Sequence, residues 1–467
     1  MISKPGTANN YEQLGKQLHN SSDFKSRLLH AGEHRYRLFY MDSMIDPKIV
    51  QDHIIQPLLQ QPGVPVGEAV TILNYAETDW LPEAAKAIIE GKSVLQREGD
   101  ATLYLLDTPL NKERSINIPV NERALRGSNE ALIENLQTNV YMLRQMMATS
   151  DLAVKSYTLG KRTNTTVSIL YMDSLVNKDV LREFEKRIQQ IELDYVEAPG
   201  FVRELIQDKQ FAMFPRFLVT ERPDRVRSYL MDGKIAIITE GSPDCLILPV
   251  TFWAFFQSPD DYQLGWMFGS AVRLLRIFCF LIAISLPGAY VALVTFDPRM
   301  LPFEIALTLQ SSLQYIAMSP LLEAVFMLLT LEILREASIR LPNPIGQTLG
   351  VVGGIVIGTI VVQSNLISNM MVIVIAVTGI SSFIIPTYEM SGAARYLTYP
   401  FIVLSALFGL IGLVLAYMLL ITHLSRLHTM GIPYFISSVG PRRSWDTVFR
   451  APIRLLKQRK NSKSDLG

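Results

Sequence analysis

Cysteine is the scarcest chemistry in this chain. Two occur among 467 residues, Cys245 and Cys279, too few and too far apart for a disulfide framework or a zinc site. Net charge is nearly absent as well. Lys and Arg number 44 against 43 Asp and Glu, which leaves +1 and no global reason to bind nucleic acid. The opening stretch, MISKPGTANNYEQLGKQLHN, has no apolar core of the kind a secretory signal carries. The part before about residue 260 is therefore expected to stay in the cytosol. There, charged and apolar stretches alternate as in a soluble α/β protein, whereas from Ala271 to His423 charges thin out and apolar runs lengthen.

Catalytic motifs are missing too. LGKRT (159–163) resembles the end of a phosphate-binding loop, but it lacks the earlier glycine and the Lys-Ser/Thr pair. His30 and His34 stand four apart without the glutamate of a metalloprotease helix, and both read as surface residues. With no nucleophile–base pair, metal cluster or phosphate loop, the expectation is a protein without enzymatic activity, cofactor or metal.

What is present begins with a repeat. RLFYMDSMIDPKIV starts at Arg37 and SILYMDSLVNKDVL at Ser168, so the two Tyr-Met-Asp-Ser strings are offset by 131 (171 − 40). A second pair follows in the same order, EGKSVLQREGDATLYLLD from Glu90 and DGKIAIITEGSPDCLILP from Asp232, offset by 142 (233 − 91). Matched blocks in order argue for duplication. Each copy reads as a strand, a helix and a hairpin turning near Glu-Gly. Asp42 and Asp173 recur in the repeat and fit a turn-capping role after a strand. Between the copies, 128–150 has helical periodicity, with Ser128 or Asn129 as N-cap. Arg222, Arg225 and Arg227 surround Pro223, a helix-starting proline, on what is either a solvated face or an interface with a lobe, a subunit or the membrane.

The second half is read from hydropathy. FWAFFQSPDDYQLGWMF (252–268) has the aromatic composition of a membrane–water interface, and 277–296 supplies the roughly 20 apolar residues of a spanning helix, with Pro287 able to kink it. Further candidates are about 345–366, 371–386 and 399–422. The stretch 303–336 is more polar and contains Pro320. Arg273 and Arg276 before the first span, and the basic PRRSW and RLLKQRKNSK after the last, put both ends in the cytosol. That requires an even number of crossings, with 303–336 as a broken pair. Ionisable groups at membrane depth are functional candidates, here Glu323, Glu332 and Glu336, with Arg335 placed to form a local ion-pair cluster with the last two.

The fold class expected is thus an α/β soluble N-terminal region of two repeated lobes, followed by an α-helical polytopic membrane domain of about 5–6 segments. The boundaries are an N-terminal extension 1–32, lobe one 33–110, a helical linker 111–162, lobe two 163–250, an aromatic interface segment 251–270, a transmembrane domain 271–423 and a basic cytosolic tail 424–467.

Within that domain, GQTLGVVGGIVIG (346–358) places Gly346, Gly350, Gly354 and Gly358 on one helical stripe widened by Gly353. Such a stripe admits close helix approach without a hydrophobic drive. The opposite face, Thr348, Val352, Ile355, Thr359 and Val362 with Gln363 beside it, alternates hydroxyls and apolar groups. It suits either further packing or a narrow pore able to gate by dewetting.

Three strings carry a family resemblance. They are TERPDRVRSYLMDGKIAIITEGSPDCLILPVTFWAFFQSPDDY, RLLRIFCFLIAISLPGAYVALVTF and EILREASIRLPNPIGQTLGVVGGIVIG, joined by ISSFIIP at 380–386. Over about 35–440, in order and spacing, they resemble the spore germinant-receptor A subunits, the GerA family of endospore-forming bacteria. The resemblance implies a multi-pass protein of the spore inner membrane that acts with a transporter-like B subunit, which takes the nutrient, and a lipoprotein C subunit. It further implies a homo-oligomer forming a nutrient-gated channel for monovalent cations, in which Val362 and Ile355 would repeat as rings. The short N-terminus departs from members with longer charged extensions. A non-conducting scaffold joining the B subunit to another effector is the competing expectation, and a secondary transporter a third.

Overall fold

A computed structural model describes residues 7–110, 119, 122, 129–208, 212–304, 306–307, 314, 316–341, 343–436 and 445–452. A sheet-containing N-terminal half is followed by a helical C-terminal half.

The duplication appears as two five-stranded antiparallel sheets with the same strand order. In the first, β1 (Phe24–Ala31), β2 (His34–Met41), β3 (Tyr75–Thr78), β4 (Ser93–Arg97) and β5 (Leu103–Leu106) lie in the order β1-β2-β4-β5-β3. In the second, β6 (Leu152–Leu159), β7 (Thr165–Met172), β8 (Leu218–Thr220), β9 (Ile235–Thr239) and β10 (Cys245–Leu248) lie in the order β6-β7-β9-β10-β8. The Glu-Gly turns join β4 to β5 and β9 to β10, with Gly99 and Gly241 at φ 89° and 82°, backbone that glycine adopts without strain.

Each lobe begins one strand earlier than expected. β1 falls inside the 1–32 extension and β6 inside the 111–162 linker. Both are outermost strands, and β1 faces solvent at most of its positions, so its sequence lacks the clean alternation of a half-buried strand. α1 (Thr7–Gln17) precedes β1, and α2 (Leu81–Ile89) crosses the first lobe. The linker helix is α3 (Leu136–Met146), capped by Asn135, whose side chain accepts from Thr138 N. It is shorter than the expected 128–150, and Ser128 lies outside the described residues. Upstream of the cap, the Asn139 amide holds Ile133 from both sides, at 2.9 and 2.6 Å, and keeps that stretch out of the helix. In the second lobe α4 (Pro223–Met231) starts at its proline.

Asp23 and Arg144 join the lobes. The guanidinium donates from Nε and Nη2 to the two carboxylate oxygens at 2.7 and 2.8 Å. Its side chain is 1% exposed and that of Asp23 12%. Burial alone would raise the Asp23 pKa. Arg144 outweighs it, with help from Ser43 and Ser21, and holds the carboxyl below its ordinary value.

The helical half consists of α5 (Trp266–Thr295), α6 (Pro320–Arg340), α7 (Asn343–Gln363), α8 (Asn369–Phe383) and α9 (Tyr388–Arg426). Of these, α5 and α9 are long and apolar enough to cross a membrane. α9 is not one rod. At Gly409 the backbone leaves the helix (φ 62°, ψ −142°) and the chain doubles back, so that Gly412 lies against the Leu404 carbonyl and the Phe401 and Tyr417 rings meet at 5.0 Å. Of the expected broken pair in 303–336, only part lies among the described residues. Pro320 opens α6 from its first turn, which proline tolerates, and the reversal falls at Gly409. Residues 305, 308–313 and 315 lie outside the described set.

Contacts fix the directions of the helices. Thr387 donates to the Phe255 carbonyl at the lobe end, while Gly409 meets Phe296 at the far end. Glu323 accepts from Ser368 N at that far end, Glu332 reaches Arg395 in the first turns of α9, and Gly346 of α7 meets Ser338 at the end of α6. Successive passes alternate, and the chain enters and leaves the helical half at its lobe end.

The aromatic segment 252–268 divides in two. Phe252, Phe255 and Phe256 are buried while Trp266 and Phe268 are exposed, and the Phe252 ring packs edge-on against Phe214 of the second lobe and Phe280 of α5. One continuous apolar core runs from Ile238 and Cys245 through Phe252 to Phe401, Leu420 and Tyr434. Burial in it pushes the Cys245 thiol well up, which keeps it out of thiolate chemistry.

Candidate functional site

The glycines of α7 divide into two sets. A Cβ at Gly346 would stand 2.8 Å from the Ser338 carbonyl oxygen, one at Gly353 3.0 Å from Leu334, and one at Gly350 3.8 Å from Ser338 Oγ. These three let α6 approach. Gly354 and Gly358 have nothing within 4 Å. On the other face Thr348, Ile355, Thr359 and Gln363 are exposed and Val362 is half-buried, while the Val352 side chain lies outside the described residues. Thr359 Oγ1 donates back to the Ile355 carbonyl at 2.7 Å, which satisfies its proton and leaves its oxygen free to face outward.

Glu323 is fully buried. Its Oε2 takes the Ser368 amide at the start of α8 at 2.9 Å, a favourable place for a carboxylate, and its Oε1 has no hydrogen-bond partner. Tyr290 and Ser368 hydroxyls stand 3.1 Å apart beside it. Glu336 does not join Arg335. It pairs along the helix with Arg340 at 2.6 Å. Glu332 is shared by Arg335 at 3.6 Å and by Arg395 of α9 at 3.3 Å. Sequence reading found two of that cluster's members, Glu332 and Arg335, but not Arg395, which the chain brings in from another helix. An arginine beside a long apolar run was the available signal.

At the lobe end the buried charges are denser. Arg222 reaches Asp224 at 2.7 Å and Asp260 at 3.7 Å. Arg225 donates to Glu122 at 2.5 Å and to the Gln257 carbonyl at 3.2 Å. Arg227 is exposed. Two of the three arginines thus tie α4 to the segment leading into α5. Arg273, entirely buried, lies 3.3 Å from Asp261 and donates to the Asp446 carbonyl at 2.6 Å, while Arg276 binds Asp261 at 2.8 Å. The chain's C-terminal part is thereby fastened to the root of α5. Of the remaining candidates, His34 contacts Arg97 on the first sheet, and His30 is exposed on β1. Asp42 pairs with Lys25, and Asp173 with Lys178 and His19.

Residues 12–462 match the family described as Bacillus/Clostridium GerA spore germination protein. Spore germination protein B1 of Bacillus subtilis is 34% identical over 97% of this chain and 96% of its own length. Spore germination protein KA of the same organism is 32% identical over 97% of this chain and 86% of its own length. The crystal structure of the N-terminal domain of the A subunit of the Bacillus megaterium spore germinant receptor GerK3 aligns with 53% of this chain and 96% of its own length, at 26% identity and a TM-score of 0.42.

Proposed function

The chain belongs to the GerA family, the A subunits of spore germinant receptors, and from that premise we propose that it forms, with copies of itself in the spore inner membrane, a nutrient-gated channel for monovalent cations that starts germination. It has no enzymatic step of its own. A transporter-like B subunit takes the nutrient, and a lipoprotein C subunit completes the receptor.

The observation that carries this reading is the two-sided α7. Gly346, Gly350 and Gly353 bring one side against α6, while Thr348, Ile355 and Thr359 remain exposed in the single chain. Cyclic symmetry would turn that exposed face toward a common axis. There it offers weak polar contacts and apolar constrictions at Ile355 and Val362. The alternating passes of α5 to α9, with α9 doubled, leave both ends of the helical half on the lobe side, which supports an even number of crossings and cytosolic ends. The core shared by the second lobe and the helices supports transmission of lobe movement to the membrane. It serves a non-conducting scaffold equally well, so conductance separates the two readings.

Potassium flux from liposomes carrying the purified chain tests the proposal. A quiet wild type beside a leaky Val362→Ala is the expected result. No flux from Val362→Ala, with oligomers intact and B and C subunits present, would favour the scaffold.

A further inference from the structure

A cavity of about 20 Å³ opens between α5, α6, α8 and α9, lined by Glu332, Arg395, Ser382, Thr398 and Tyr399 among others. It has room for one water-sized group. Its charge is unbalanced. Arg335 and Arg395, with side chains 10% and 15% exposed, share the single carboxylate of Glu332. Among the described residues, none of the three Arg335 nitrogens has a hydrogen-bond partner, and Arg395 Nε has none either. Arg335 lies over the Phe383 ring at 5.2 Å and Arg395 over Tyr388 at 5.9 Å, contacts that hold the guanidinium planes; Arg395 Nη1 donates to Ser391 Oγ at 2.9 Å, while the other four donors named stay unspent. A buried surplus cation with free donors is costly unless an anion completes it.

The level of the cluster identifies the anion. Arg335 and Arg395 lie toward the lobe end of the helices, where Trp266, Phe383, Tyr388 and Tyr396 are exposed, the aromatic composition found at headgroup depth. Arginine's planar fork matches phosphate oxygens, and basic pockets between helices on the cytoplasmic side suit anionic headgroups. We propose that Arg335 and Arg395 bind the phosphate of an anionic phospholipid, with one phosphate oxygen in the cavity and another on Arg335, in competition with the Glu332 carboxylate. The lipid rather than free phosphate is the source, because the site sits among lipid-facing aromatics. The inference rests on the bilayer reading above but not on conduction, so a failed flux experiment leaves it standing.

The test titrates the full-length protein in detergent with phosphatidylglycerol, phosphatidylcholine and sodium phosphate, counting bound lipid by native mass spectrometry. Phosphatidylglycerol is expected to bind the wild type, and Arg335→Gln or Arg395→Gln to weaken it about tenfold or more, as loss of a charge-assisted hydrogen bond implies. Arg335→Lys, which keeps charge but loses the fork, should fall between. Glu332→Gln guards against a folding artefact. It removes the competing carboxylate, so it should bind as tightly as wild type or more tightly. Equal binding by wild type and both glutamine variants, or equal binding of phosphatidylcholine, overturns the site. Occupancy by sodium phosphate with the same dependence on Arg335 overturns the lipid as its source.

Discussion

Replacing Arg144 with methionine should separate the two lobes energetically. The side chain is almost wholly buried and supplies both bonds to Asp23, one to Ser21 Oγ at 2.8 Å and one to the Leu152 carbonyl at 3.2 Å. Breaking a buried pair from one side costs about 3–5 kcal/mol. Ser21 and Ser43 still donate to the carboxylate at 2.7 and 2.6 Å, so the lower end, about 3 kcal/mol, applies. In native-state hydrogen exchange that is on the order of a hundredfold faster opening of the amides linking the lobes. The amide to follow is Ser22, which donates to the Val154 carbonyl. Removing both charges, Asp23→Asn with Arg144→Met, should recover part of the loss. The pH dependence has a definite sign. Because the folded pKa of Asp23 is depressed, the pair stabilises above the unfolded value of about 3.9 and its contribution is lost as pH falls through the folded value. The gap between wild type and Arg144→Met should therefore be full at pH 6 and close below it in acid. A change of less than about fivefold in exchange at pH 6, or a gap that widens in acid, refutes the reasoning.

Two further substitutions probe the helical half. Gly346→Ala forces α6 and α7 apart at the Ser338 carbonyl. It should lower stability by about 1–3 kcal/mol, more than the roughly 1 kcal/mol that alanine's helix propensity returns. Gly358→Ala, with open space around it, should leave thermal unfolding of the dispersed protein unchanged or improved while weakening self-association in cross-linking. Equal unfolding temperatures for the two variants would count against this division of the stripe. Phe252→Ala removes a ring that touches both halves and should cost about 3–5 kcal/mol. It should lower exchange protection in β9 and α5 together. Loss confined to one of them would mean that the shared core is not cooperative.

The duplication was legible because whole strings recur, and its offsets carried through to matching sheet orders. The outer strands β1 and β6 were not, since an edge strand is under little pressure to alternate. Gly409 hid for a different reason. In ALFGLIGLVL (406–415) Gly409 and Gly412 stand among apolar residues and read as a continued helix, and only the positive φ of Gly409 reveals the reversal. The glycine stripe of α7 is visible in the sequence, but nothing in the string separates Gly353, which packs on Leu334, from Gly354, which does not. Neighbours decide that. The sequence does not separate buried Phe252 from exposed Trp266, because burial in a junction and residence at a membrane surface select the same aromatic residues. Glu332 and Arg335 could be paired from their spacing, whereas Arg395 needs the tertiary structure.

The doubling of α9 also sets the order in which the protein can be completed. It returns the chain to the second lobe, where Tyr434 closes the core begun at Cys245, 189 residues earlier (434 − 245). At ribosomal speeds that interval is roughly 10–40 s. Throughout it Phe214, Phe252 and the β9–β10 face wait without their last partners. That face of the second lobe is therefore the last part of the core to be completed, although most of the lobe is made before α5 emerges.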